Sequence, residues 1–177
     1  MSRIEPIEAD EAQGKARELL DEVVARGGTP GPMVRAMANA PALLRGYLDL
    51  TRAMKRSHID RRVVERINLA VHESLGCDYC LVAHTRAARQ LGVPESEIQL
   101  ARQGTSSDPA IAALVAFAQQ VLAAPGEIGD AEFARLHAHA YSDEQIAEVV
   151  GLVALQLLTG AFNLAAGIQA PTGSGAP

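Results

Sequence analysis

Aromatic residues are scarce in this sequence: they make up 3% of its 177 positions, and tryptophan is absent. A core built from it cannot rest on large rings. Its apolar 48% must come mainly from alanine, leucine, valine and isoleucine, side chains that suit closely packed helices. Basic residues are in deficit too, 16 Lys and Arg against 21 Asp and Glu, for a formal net charge of −5. That excludes a nucleic-acid partner bound by phosphate neutralisation, because no positive surplus exists. No stretch alternates polar and apolar residues at period two for long enough to make a strand. Residues 1–11 lack an apolar run and carry Glu5, Glu8, Asp10 and Glu11, so a secretory leader is not expected and the expected location is the cytoplasm. The most hydrophobic run, 146–168, is long enough to span a membrane but contains Glu148, Gln156, Asn163 and three glycines, with no flanking basic cluster. A buried helix, in the core or at a subunit interface, is expected there, and no membrane partner.

Cysteine is nearly absent as well. The two that occur, Cys77 and Cys80, lie three positions apart. A bridge closing so small a loop removes little entropy from the unfolded chain, so a structural staple is a poor reason for the pair. In a cytoplasmic protein such spacing points to catalysis or metal binding instead.

Periodicity and punctuation predict an all-α chain of seven to nine helices in one domain, 1–170, followed by a disordered Pro/Gly/Ser/Ala tail, 171–177. A first amphipathic segment covers 9–25 and stops at the breaker 27–32. Asn39 and Pro41 open a helix to about Lys55, and Asp60 caps another that reaches Leu75. Gly76 interrupts it before a helix over 77–91. Further helices are expected at 94–102, at 110–124, from a cap at Asp130 to Ala140, and from a capping pattern at Ser142 onward.

The informative segment runs from Glu65 to His84. On one helix Cys77, Cys80, His84, Ala88 and Leu91 share a stripe, which puts the two thiols side by side with an imidazole one turn beyond. Such an imidazole can accept a thiol proton or pair with a thiolate. Gly76 places both sulfurs in the first helical turn, where unpaired N–H groups favour negative charge and lower a thiol's pKa.

The arrangement Glu65, eleven residues, Cys77-Asp78-Tyr79-Cys80, three residues, His84 resembles the AhpD-like family (alkyl hydroperoxidase D, carboxymuconolactone decarboxylase-like). The similarity covers about 39–92, and Ala161-Phe162-Asn163 is reminiscent of the family in the second half. It implies the AhpD-like helical fold, Cys80 as the cysteine that attacks peroxide, Cys77 as the resolving cysteine, and Glu65 and His84 as a proton relay. It also implies a dimer, trimer or hexamer, to which the apolar last helix adds its own argument. Two departures stand out. Tyr79 lies where the alkyl hydroperoxidase D proteins proper carry a histidine between the cysteines, which points to weaker peroxidase activity or a different substrate. The carboxymuconolactone decarboxylases of the wider family do not rely on this cysteine pair.

Plainer readings compete at each residue. Glu65 lies opposite the main apolar stripe of its helix, with Asn68, Leu69 and His72, so periodicity alone makes it a solvated carboxylate. His72 is expected at the surface, with a supporting role for the site as its alternative. Tyr79 covers a helix end or orients substrate, and a buried Asn163 needs a hydrogen-bond partner. His137 and His139 are two apart and do not form a helical metal pair. A zinc site built from Cys77, Cys80, His84 and Glu65 is the chemical rival, though a second ligand pair is missing. The expected function is a thiol-dependent peroxidase or disulfide oxidoreductase without bound metal or flavin, taking a hydroperoxide and an external dithiol reductant. The alternatives are a cofactor-free decarboxylase or isomerase on a small organic acid, and a non-catalytic redox-sensing helical oligomer.

Overall fold

The structure, a computed structural model, describes residues 2–169. The expected tail, 171–177, lies outside the described residues. Among those described there are nine α-helices and no strand, as the sequence predicts. The helices are α1 (Gly14–Ala25), α2 (Pro32–Met37), α3 (Pro41–Met54), α4 (Arg61–Leu75), α5 (Asp78–Gln90), α6 (Glu95–Arg102), α7 (Pro109–Ala123), α8 (Asp130–Ala138) and α9 (Asp143–Ala166).

α4 is the axis of the fold, packed against α5, α6, α7 and α9 at once. Arg66 through His72 are all buried, two consecutive turns with no solvent face. Ile67, Ala70 and Val71 of α4 join Leu114, Phe117 and Ala118 of α7 and Val149 and Leu152 of α9 in the main core. Leu69 turns the other way and packs with Leu81 and Ala88 of α5. A second core, around Leu20, Met37 and Leu44, ties α1, α2 and α3 together. Local chemistry fixes the ends of α4. Asp60 accepts a hydrogen bond from the Arg62 backbone N–H, and Gly76 closes the helix at φ +67°, a left-handed conformation that glycine adopts without strain.

Several boundaries differ from the sequence reading. α1 begins at Gly14 because residues 9–11 form a turn. The breaker at 27–32 ends with Pro32 at the first position of a short helix, α2, where its missing N–H costs nothing. Asn39 does not cap α3: its side-chain N–H group donates to the carbonyls of Ala36 and Glu5, and Ala40 takes the N-cap position. Asp130 is the first residue of α8, after Gly129. Ser142 and Gln145 form the expected capping box at the start of α9.

α9 is apolar over an 18-residue window, with mean hydropathy 1.8, and half of that window is buried inside the fold. Its polar residues Gln156, Thr159 and Asn163 are buried too. They face the site.

Candidate active site

The turn between α4 and α5 sets the site. Gly76 reverses the chain, the Cys77 backbone N–H bonds back to the His72 carbonyl, and Cys77 becomes the N-cap of α5. Cys80 is then the third residue of α5, within the first turn, where backbone N–H groups lack intrahelical partners. The two cysteines form a disulfide, with Cα atoms 5.3 Å apart. Both are buried, at 1% and 4% exposure.

Glu65, Asn68 and His72 follow one another at helical spacing along the α4 stripe that faces this disulfide. The periodicity reading took the stripe for a solvent face, and the structure corrects it: α5 and α9 cover that side. Glu65 Oε2 accepts a hydrogen bond of 2.7 Å from Nδ1 of His84, and the Asn68 side-chain amide lies 3.3 Å from the same nitrogen. Both partners of the Glu65–His84 pair are mostly shielded from water. Neither ring nitrogen of His84 is hydrogen-bonded to a sulfur among the described residues, so the direct thiol–imidazole contact anticipated for it is not made in this disulfide state.

His72 takes the position next to the sulfurs. It is fully buried, not at the surface as expected, and one of its ring nitrogens lies with both Sγ atoms in a group whose members are all within 4.8 Å of one another. Its ring stacks on that of His84, centroids 5.0 Å apart and planes 18° apart. Nε2 donates to Gln156 Oε1 at 2.8 Å, which leaves Nδ1 as the acceptor; Nδ1 is buried and has no hydrogen-bond partner. Burial, helped by the neighbouring His84, pushes the His72 pKa down to about 4, so the ring is neutral at physiological pH. The Asn163 side-chain N–H group donates to Cys80 Sγ at 3.3 Å, the partner that a buried Asn163 requires.

These groups open onto a cavity of about 360 Å³ between α3, α4, α5 and α9. Cys80, His72, His84, Glu65 and Asn163 line it, whereas Cys77 does not. Tyr79 contributes to the same wall while packing near Ala36, Ala166 and Phe162, and burial raises its hydroxyl pKa. The zinc set Cys77, Cys80, His84 and Glu65 is not assembled: the buried group of close donors is His72, Cys77 and Cys80. His137 is an exposed histidine bonded to Asp143. Sequence reasoning missed Gln156 and Asn68 as members of the site. The available signal was polar side chains at helical spacing within otherwise apolar helices.

The model of the carboxymuconolactone decarboxylase family matches residues 41–124, from the start of α3 through α7. The match spans a little under half of the chain. The matched stretch holds Glu65, His72, both cysteines and His84, while Gln156 and Asn163 come from α9 outside it. The chain is 26% identical to the Bacillus subtilis (strain 168) protein YdfG over 118 residues, 64% of this chain and 80% of that one. Its fold is similar to the alkylhydroperoxidase AhpD core of a peroxidase-related protein from Ralstonia eutropha JMP134, with a TM-score of 0.83 at 22% identity, covering 98% of this chain and 94% of that one. It is also similar to the debrominase Bmp8, with a TM-score of 0.77 at 20% identity, covering 97% and 93%.

Proposed function

We propose that this AhpD-like protein is a dithiol oxidoreductase that reduces organic hydroperoxides, with Cys80 attacking and Cys77 resolving. The observation that carries the reading is a buried disulfide that meets a substrate-sized cavity through Cys80, beside a Glu65–His84 pair on the same wall.

In the reduced protein the Cys80 thiolate attacks the outer oxygen of the hydroperoxide. The O–O bond breaks, the sulfur becomes a sulfenic acid, and the alkoxide leaves as the alcohol once it takes a proton. The Cys77 thiol then attacks the Cys80 sulfenic acid, forming the disulfide and releasing water. An external dithiol returns two electrons and two protons by thiol–disulfide exchange. Placement in the first turn of α5 favours the Cys80 thiolate, and the Asn163 N–H group pointed at its sulfur adds to that. His84 donates its Nδ1–H to the Glu65 carboxylate, so its Nε2 is free to take up the proton given up by the Cys80 thiol and pass it to the leaving alkoxide. His72 offers a neutral, unpartnered Nδ1 beside the pair, an acceptor for a thiol proton in the reduced state. Tyr79 shapes the wall against which substrate lies.

The family also admits a different chemistry, acid–base catalysis on a small organic acid by Glu65 and His84 without the sulfurs. Hydroperoxide consumption in the presence of dithiothreitol separates the two. The native protein is expected to consume cumene hydroperoxide, and the Cys77→Ser/Cys80→Ser protein to fall to the uncatalysed rate. Equal rates for the two would remove the redox reading.

A further inference from the structure

The distribution of unpaired positive charge in this acidic chain is uneven. Most of its Lys and Arg side chains sit in ion pairs, among them Arg17 with Asp21, Arg45 and Arg52 with Glu22, and Arg89 with Glu95. Lys55, Arg56, Arg61 and Arg62 have no ion-pair partner among the described residues, although they fall within eight consecutive positions where Asp60 is the single acid. Two of them, Lys55 at the end of α3 and Arg61 at the start of α4, line the cavity that reaches Cys80. Both are exposed, at the outer part of the wall.

The remainder of the cavity grades from charged to apolar to reactive. Met33, Met54, Val64, Leu152 and Leu155 supply an aliphatic wall, and the sulfur lies with His72, His84 and Asn163. Arg61, Glu65, Asn68 and His72 lie on one stripe of α4, so the helix itself measures the path from the cations to the sulfurs. At the helical rise of 1.5 Å per residue, Arg61 and His72 are separated by about 16 Å along the axis. A medium-length aliphatic chain spans that distance.

We infer that the cavity takes amphipathic carboxylates, with the anionic head held by Lys55 and Arg61 and the chain directed along α4 toward Cys80; under the peroxidase reading, on which this rests for its reaction though not for its binding, the substrate class is the hydroperoxide of a medium-chain fatty acid. The cations act at the mouth and leave the chemistry at sulfur unchanged. The carboxylate bonds to the guanidinium in a fork and to the ammonium as a point charge. Because both cations are solvated, each contributes modestly, and the discrimination is between charged and uncharged heads of the same chain.

Two measurements test this. The first is the binding of decanoate and of decanol to the whole protein by titration calorimetry, which needs no turnover. The wild type should prefer decanoate, and in Lys55→Gln/Arg61→Gln that preference should fall roughly tenfold, the effect of two exposed charge pairs. Arg86→Gln, which removes a cation that has no ion-pair partner among the described residues and does not line the cavity, should leave the preference as in the wild type. The second is the ratio of kcat/KM for a fatty-acid hydroperoxide over its methyl ester, which should fall by a similar factor in the double variant and not in Arg86→Gln. A decanoate preference that survives the double substitution, or that falls equally in Arg86→Gln, overturns the inference. Decanoate binding that behaves as expected without any peroxide turnover would uphold the site and remove the peroxidase reading alone.

Discussion

His72 carries two consequences of burial at one ring. Its pKa is lowered from 6.5 to about 4, mainly because burial penalises the imidazolium and secondly through charge repulsion from the neighbouring His84. In the unfolded chain the ring protonates as pH falls through 6.5, whereas in the folded protein it stays neutral until about 4. The folded state therefore carries no penalty from His72 above pH 6.5, loses stability progressively between those two values, and loses no more below the lower one. Between pH 7 and pH 5 the oxidised wild type should lose about 2 kcal/mol more than His72→Gln. Urea denaturation of both proteins at the two pH values reads this directly, and parallel pH slopes would contradict it. The same residue marks the limit of the sequence reading. Cys77, Cys80 and His84 were legible from helical spacing and residue type, and Glu65 only from the family resemblance. The placement of His72 was not, because a polar stripe reads the same whether it faces water or a buried cavity. Only the helices laid over α4 decide which it is.

At the scale of elements, the close approach of α4 and α9 builds the site and depends on Gly160. A Cβ placed there would lie 2.7 Å from the Leu75 Cδ1 and 3.3 Å from Nδ1 of His72. Leu75 can rotate away, but His72 is held by Gln156 and by the stack on His84. Gly160→Val should cost about 2 kcal/mol through overpacking and slow peroxide turnover by displacing His72. Gly151→Val, one α9 position where the neighbour is the flexible end of Met54, should cost clearly less. Equal losses for the two in urea denaturation would show that Gly160 is not shaping the site. Helix order and most helix ends followed from local punctuation, as at Asp60, Gly76 and Ser142. α2 was missed because Pro32 reads as the end of a breaker as readily as the start of a helix. Asn39 misled for a related reason: its side chain finds tertiary carbonyls, which sequence does not show.

For the whole molecule, α9 leaves one stripe uncovered. Ala147, Val150, Ala154, Leu157, Ala161 and Leu164 are exposed, at alternating steps of three and four residues. That is the spacing of a packing seam between helices, with small residues that let a second backbone come close. A second copy of this chain is the occupant we expect there. We expect a homo-oligomer by light scattering at micromolar concentration, and Leu157→Glu should dissociate it while leaving the helical circular dichroism intact. A monomeric wild type would contradict this, and the number of subunits is for the same measurement to count.

The sulfurs carry the central claim, and intact-mass spectrometry after peroxide and dimedone treatment tests it most directly. In reduced Cys77→Ser, one equivalent of cumene hydroperoxide should leave a sulfenic acid on Cys80 that dimedone captures. Cys80→Ser should take up no dimedone, and the wild type should lose two hydrogens as the Cys77–Cys80 disulfide forms. An adduct on Cys77 in Cys80→Ser, with none on Cys80, would exchange the two roles. No adduct on either variant, together with a wild type that never forms the disulfide, would contradict the redox account as a whole.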